Sequence, residues 1–329
     1  MPTCTYIVSN TNLMKKSYLY LIIFLLPLIT SAQGFKEKEV KRNIDGGTLY
    51  GTMLNAKNAN GTVVVFISGS GPTDRDGNSI IGGKNNSLKM LAYELGNKGY
   101  SSLRFDKRGI AKSAPGFSEK GLLFDTYVND AVDWVTWIKE NSKNVKKIVF
   151  IGHSEGSLIG MLAAKKVNAD GYISIAGVGF PADSTLKTQL EKQLPSKLYD
   201  ESVVCLDSLK KGQLVKNPPA SLMMLFRTDV QPYLISWFKY NPAEEIAKLT
   251  CPILIIQGLN DLQVSRADAQ ALKNAAAPSA QVLFLDKVTH VLKEAGPTQD
   301  ENMATYVNET TPLSSLLVNT TLLFLSGIK

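Results

Sequence analysis

Apolar residues in this chain fall into short unbroken runs, separated by stretches where they recur every third or fourth position. Thr62–Ile67, Lys147–Ile151, Tyr172–Ala176 and Pro252–Gln257 are the unbroken runs. Rich in β-branched residues, they predict strands buried on both faces. Ser101–Phe105 and Gln281–Leu285 predict two more strands. Between the runs the spacing is helical: Leu88, Leu91, Ala92 and Leu95 after a capping Ser87, then Phe124, Val128, Ala131, Val132, Val135 and Ile138. Further helices are expected from Ser154 to about Lys166, from Ala267 to Ala275, and from Thr311-Pro312 onward. The last has an expected apolar face of Leu313, Leu316, Leu317 and Leu323. Ahead of all these, residues 38–55 read as a hairpin about Asp45-Gly46-Gly47. Strands alternating with helices imply an α/β fold with a mostly parallel central sheet and helices on both faces.

The rhythm breaks between residues 178 and 250, which are charged, Pro-punctuated and helical in pattern. An insertion of that length in a compact domain is usually functional. It is expected to be a helical cap set into a core of residues 33–177 and 251–329. At the N-terminus, Lys15-Lys16 precedes the apolar run Tyr18–Ile29, which contains Pro27 and leads to the small residues Thr30-Ser31-Ala32. The run is shorter than the ~20 residues a membrane span needs. Residues 1–32 are therefore expected to be a signal peptide cleaved after Ala32, leaving a periplasmic or extracellular protein with no membrane span. Starting at Met14 would give this signal a conventional length.

Charge changes the picture little. The excess of 36 Lys and Arg over 29 Asp and Glu is spread along the chain with no basic block, so nucleic acid is not an expected partner. Past Ala32 only Cys205 and Cys251 remain, in no metal-like or CxxC spacing. An oxidising compartment would permit them to pair, and two unpaired thiols are equally compatible with the spacing.

The candidate chemistry centres on Gly152-His153-Ser154-Glu155-Gly156, directly after the strand Lys147–Ile151 and opening a helix. A strand-to-helix turn this tight needs small residues two before and two after the serine, and it lifts the serine hydroxyl out of the sheet. The helix N-terminus beneath it favours developing negative charge. A serine hydroxyl needs a base to take its proton. The chain has only two histidines. His153 lies inside the turn and is expected to point away, which leaves His290 as the base. That imidazole needs a carboxylate to fix its tautomer. Asp261, after the strand ending at Gln257, is favoured, with Asp286 as its rival.

An oxyanion needs backbone donors. One is expected from the Glu155 N–H. The other should come from the loop Ser68-Gly69-Ser70-Gly71-Pro72, with Ser70 ahead of Gly69, since glycine lets backbone approach a substrate closely. The adjoining Asp74, Arg75 and Asp76 either recognise a charged substrate group or, as favoured here, brace that loop. Trp237, Phe238 and Tyr240 either line an acyl pocket or pack the insertion on the sheet.

Taken together, Ser68–Pro72 with Asp74-Arg75-Asp76-Gly77, Arg104-Phe105-Asp106-Lys107-Arg108-Gly109, the serine turn, Gly258-Leu259-Asn260-Asp261 and Thr289-His290 resemble the α/β-hydrolase superfamily, especially its secreted bacterial esterases and serine-aminopeptidase-like members. The chain order Ser, Asp, His is theirs. In that resemblance the Asp106–Gly109 turn lies beside the active-site loop and carries a structural Asp–Arg pair. Many relatives have His-Gly in the oxyanion loop where this chain has Ser68. The resemblance implies an enzyme: a serine hydrolase that cleaves small-molecule carboxylic esters through an acyl-enzyme, with catalytic Ser154, Asp261 and His290, no metal and no cofactor. A peptidase of the same fold acting on short peptides is the alternative. Its amine subsite would need a carboxylate, and Glu201, Asp207, Glu244 and Glu245 are the acids of the insertion. A non-catalytic binding protein would be expected to lack a triad member, and all three are present.

Overall fold

The computed structural model describes residues 34–329. The expected signal segment lies outside these residues. A hairpin, β1 (Phe35–Ile44) and β2 (Gly47–Ala56), opens the fold, paired antiparallel from Phe35↔Ala56 to Ile44↔Gly47. Then follow β3 (Thr62–Ile67), α1 (Ser87–Asn97), β4 (Ser101–Phe105), α2 (Phe124–Asn141), β5 (Lys147–His153), α3 (Glu155–Val167) and β6 (Gly171–Ile175). Five helices come next: α4 (Ala182–Gln193), α5 (Ser196–Lys210), α6 (Met223–Phe226), α7 (Gln231–Trp237) and α8 (Pro242–Ile246). The alternation resumes with β7 (Ile253–Gly258), α9 (Arg266–Ala275) and β8 (Gln281–Leu285), and closes with α10 (Gln299–Ala304) and α11 (Ser315–Ser326).

The eight strands form one sheet in the order β1-β2-β4-β3-β5-β6-β7-β8. β2 runs antiparallel to β1 and β4, and every other neighbouring pair is parallel. The unbroken apolar runs have a simple cause. Val63, Val65 and Ile67 of β3 face one core, while Val64 and Phe66 face the other. Ile148 and Phe150 of β5 alternate with Val149 and Ile151 in the same way. One face is covered by α2, α3 and the inserted helices, whose Leu206, Phe226, Leu234 and Phe238 join its core. α1 and α11 cover the other. Because the parallel strands end on the same side, the loops after β3, β5, β7 and β8 gather at one edge.

Two expected boundaries are corrected. α11 begins at Ser315 and not at Thr311-Pro312, because Leu313 is held in an antiparallel bridge to Lys293. Its buried face is Leu317, Val318, Thr321, Phe324 and Leu325, while Leu316 and Leu323 face solvent. Ser87 is the first residue of α1 rather than its cap. Asn86 occupies that position in the left-handed conformation, at φ 55°.

Candidate active site

The turn after β5 is built on two glycines that the packing demands. A Cβ on Gly152 would lie 2.3 Å from the Gly156 carbonyl oxygen. One on Gly156 would lie 2.4 Å from the carbonyl oxygen of Ile67 in β3. Between them Ser154 sits at φ 56°, ψ −124°, a strained backbone for a residue with a side chain. The strain is held by its N–H, which donates to the Ile175 carbonyl at 3.1 Å, and by its carbonyl, which accepts from Ser157 N–H. Ser154 stands at the N-terminus of α3, so the Glu155 N–H is one of the donors that an α-helix leaves without an internal partner.

The loops after β7 and β8 are zipped together. Leu259 N–H donates to the Leu285 carbonyl and Asn260 N–H to that of Val288. A Cβ on Gly258 would meet the Val288 oxygen at 2.1 Å. This contact brings Asp261 Oδ2 to 2.7 Å from His290 Nδ1. Asp261 Oδ1 accepts from the Gln263 and Val264 N–H groups at 2.7 and 3.0 Å. Burial pushes the Asp261 carboxyl up, but the His290 charge and these hydrogen bonds outweigh it, so it lies below its ordinary value. The carboxylate is therefore a fixed acceptor. An ionised Asp261 can only accept, so the shared hydrogen bond is donated by His290 Nδ1–H and the ring's Nε2 is turned away from it. The rival Asp286 is exposed.

His153 does something its sequence position did not announce. Its ring packs on that of His290 at 4.7 Å between centroids, and its Nε2 lies 2.8 Å from the His290 carbonyl oxygen. Burial and the neighbouring His290 push its pKa down to about 3, so the ring is neutral and Nε2–H is the donor. The residue before Ser154 thus tethers the backbone of His290. The Ser154 hydroxyl itself makes no hydrogen bond to His290 among the described residues. Contacts of this kind commonly tighten only with substrate bound.

The loop after β3 is held by its carbonyls. Ser68 Oγ donates to the Thr73 carbonyl at 3.2 Å, Thr73 Oγ1 to that of Ser70 at 2.7 Å, and Lys107 Nζ to that of Gly69 at 2.6 Å. A Cβ on Gly69 would sit 3.1 Å from that of Ser154, so this loop abuts the serine. Asp74, Arg75 and Asp76 brace the loop. Arg75 pairs with buried Asp106 at 2.7 Å, Asp74 accepts the N–H groups of Asp76 and Asn78, and Asp76 accepts from Arg104. Arg108 pairs with Asp130 rather than Asp106.

Behind the serine, Glu155 accepts from Tyr233 of α7 at 2.6 Å and lies 3.6 Å from Lys107 Nζ. The sequence shows Lys107 only as part of the Asp106–Gly109 turn and gives Tyr233 no role, because their partners are distant in the chain. Trp237 stacks on Phe124 at 5.7 Å, Phe238 is buried in the core and Tyr240 bonds Asp125, so all three pack the insertion onto α2. Of the acids in the insertion, Asp207 pairs with Lys187 and Glu245 with Lys248. Cys205 and Cys251 are free thiols. Among the described residues no group of three or more His, Cys, Asp or Glu could hold a metal ion.

Known proteins share this architecture. The structure is similar to Est1E from Butyrivibrio proteoclasticus with ferulic acid bound, with a TM-score of 0.58 and 16% identity, covering 88% of this chain and 98% of that one. It is equally similar to the α/β-hydrolase GrgF from Penicillium sp. sh18, with a TM-score of 0.58 and 16% identity, covering 89% and 99%. The chain has the α/β-hydrolase fold. Within that fold, residues 82–222 match a family model described as serine aminopeptidase, S33. The match takes in the serine turn but neither Asp261 nor His290. At the level of sequence the chain is 28% identical over 277 residues to esterase EstD of Thermotoga maritima, across 81% of this chain. It spans 62% of the length of that curated relative. In this fold, then, the strained serine turn, a carboxylate–imidazole pair and the glycine-bearing loop after β3 share one sheet edge.

Proposed function

We propose that this protein is a serine hydrolase that cleaves carboxylic esters through an acyl-enzyme. The observation that carries the reading is the buried Asp261–His290 pair, at 2.7 Å, tethered through His153 to the strained turn at Ser154. Ser154 attacks the ester carbonyl while His290 Nε2 takes its proton. The imidazolium that forms is stabilised by Asp261 and then protonates the leaving alkoxide. The N–H groups of Glu155 and Ser70 hold the oxyanion. Water, deprotonated by His290, attacks the acyl group and frees Ser154. The esterase name of the curated relative supports an ester as substrate. Residues 178–250 are proposed to act as a cap, and residues 1–32 as a cleaved export signal, which N-terminal sequencing of the mature protein tests.

The second reading, a peptidase, is favoured by the description of the matching family model. It requires a carboxylate for the substrate amine, and Asp207 and Glu245 are already paired. One panel separates the two: short- and long-chain aryl esters, feruloyl and acetyl-sugar esters, and aminoacyl anilides, run on wild type and on Ser154→Ala. Ester turnover that vanishes in a folded Ser154→Ala variant is the expected result. Turnover that survives this substitution sinks the mechanism, and anilide cleavage exceeding ester cleavage replaces it with the peptidase.

A further inference from the structure

Lys107 is 3% exposed, and its shortest contact is with a neutral group. Its Nζ donates to the Gly69 carbonyl at 2.6 Å and lies 3.6 Å from the Glu155 carboxylate and 5.2 Å from the centre of the Tyr127 ring. A buried ion pair is a poor device for stability, since two apolar side chains of similar volume would serve as well. The position of the ammonium therefore calls for another explanation, and the peptide it holds supplies one. The Gly69 carbonyl and the Ser70 N–H belong to the same peptide unit. No described peptide bond is cis. In a planar trans unit the C=O and N–H point in opposite directions. A cation fixed on the carbonyl oxygen thus fixes the direction of the N–H. It also draws charge from the unit, which strengthens the N–H as a donor.

We infer that Lys107 is a positioning residue that orients and polarises the Gly69–Ser70 peptide so that the Ser70 N–H meets the oxyanion. The inference rests on the proposed acyl-transfer chemistry and deepens it. Glu155 completes the device. Its backbone N–H is the second oxyanion donor, and its side chain is held by Lys107 and by Tyr233 of the insertion. One ammonium therefore links both donors of the hole. Placed 2.6 Å from a carbonyl oxygen, it acts in the transition state, where negative charge appears across the peptide, far more than on the neutral bound ester.

The test uses the full chain with Lys107→Met, and a Lys107→Met/Glu155→Gln double variant that leaves no buried charge unpartnered. Circular dichroism establishes folding, and the double variant decides if the single one does not fold. Two quantities are read on whichever acyl substrate the wild type turns over: kcat against KM, and the affinity of a boronic acid, which binds as a tetrahedral adduct, against that of the carboxylate product. The expected outcome is a fall in kcat on the order of 10²-fold with KM nearly unchanged, and a matching loss for the boronic acid but not for the product. A double variant with kcat within twofold of wild type overturns the inference. So does an equal loss for boronic acid and product, which would mark a merely structural lysine. A wild type that turns over no ester, or a Ser154→Ala variant that remains active, counts against the esterase reading instead.

Discussion

The serine turn and the loop after β3 lie against each other and are held in place by opposite means. The turn is held by backbone and by the absence of side chains: Gly152 and Gly156 let β3, β5 and α3 approach so closely that no Cβ fits. The loop is held by side chains, distant Lys107 on one carbonyl and the loop's own Thr73 on the next, with the Arg75–Asp106 pair behind them. One is rigid because backbone on either side of it, its own helix start and β3, leaves it no room. The other is rigid because residues 31 to 38 positions away reach back to it. The turn carries the proposed nucleophile and leaves no room for a side chain at Gly152 or Gly156. The loop carries only N–H groups, whose direction can be tuned by what grips the carbonyls.

The contrast can be broken hardest at the third element, the imidazole. Asp261→Asn keeps the shape of the side chain but offers His290 the wrong tautomer. A loss of about 10⁴-fold in kcat is expected, with the fold unchanged by circular dichroism. A loss below tenfold would mean that Asp261 does not set the tautomer of His290.

A pair of glycine substitutions sharpens the comparison directly. Gly156→Ala drives a Cβ to 2.4 Å from the Ile67 oxygen and 2.6 Å from that of Ser68. It should cost at least about 3 kcal/mol in urea unfolding and abolish turnover. Gly71 in the loop has a positive φ of 65° but nothing within 4 Å of a built Cβ. Gly71→Ala should cost only about 1 kcal/mol, the strain of a left-handed backbone. Equal costs at the two sites would erase the distinction drawn between them.

A further effect expected is a pH dependence of stability. His153 has an ordinary value of 6.5 and is pushed to about 3 in the fold, mainly by burial. Between these values the unfolded chain binds more protons than the folded one, so stability falls as pH drops below 6.5. Asp261 adds a loss at lower pH. Its folded value is depressed, so its stabilisation is present above the ordinary 3.8 and disappears as pH falls through the folded value. His153→Gln keeps a donor for the His290 carbonyl and removes the titration. Its urea midpoint should fall less than that of wild type between about pH 7 and pH 4.5. A wild-type midpoint that stays flat over that range would contradict a buried neutral ring.

Much of this site was legible in the residue order, and the reason differs from residue to residue. Gly152-x-Ser154-x-Gly156 was readable because its constraint is local: five consecutive residues decide whether the turn can form. His290 was readable by scarcity, in a chain with one other histidine. A place after the strand ending at Gln257 favoured Asp261 over Asp286, while the contact itself is made by the zipped loops after β7 and β8. Asp74, Arg75 and Asp76 were visible as a cluster, but their partners Asp106 and Arg104 sit on and after β4. The start of α11 was misplaced because a Thr-Pro pair resembles a helix start, while the bridge from Leu313 to Lys293 has no mark in the sequence.

The sequence alone determined the alternation of strands and helices, the double-sided burial of the strands and the serine turn, because periodicity and small-residue spacing act over a few neighbouring positions. Tertiary structure alone decided that Asp261 touches His290, that His153 tethers it, and that Lys107 grips the Gly69 carbonyl. Those contacts join residues tens of positions apart. Their partners are chosen by how the sheet brings loop ends together, and nothing in the order of residues encodes that distance.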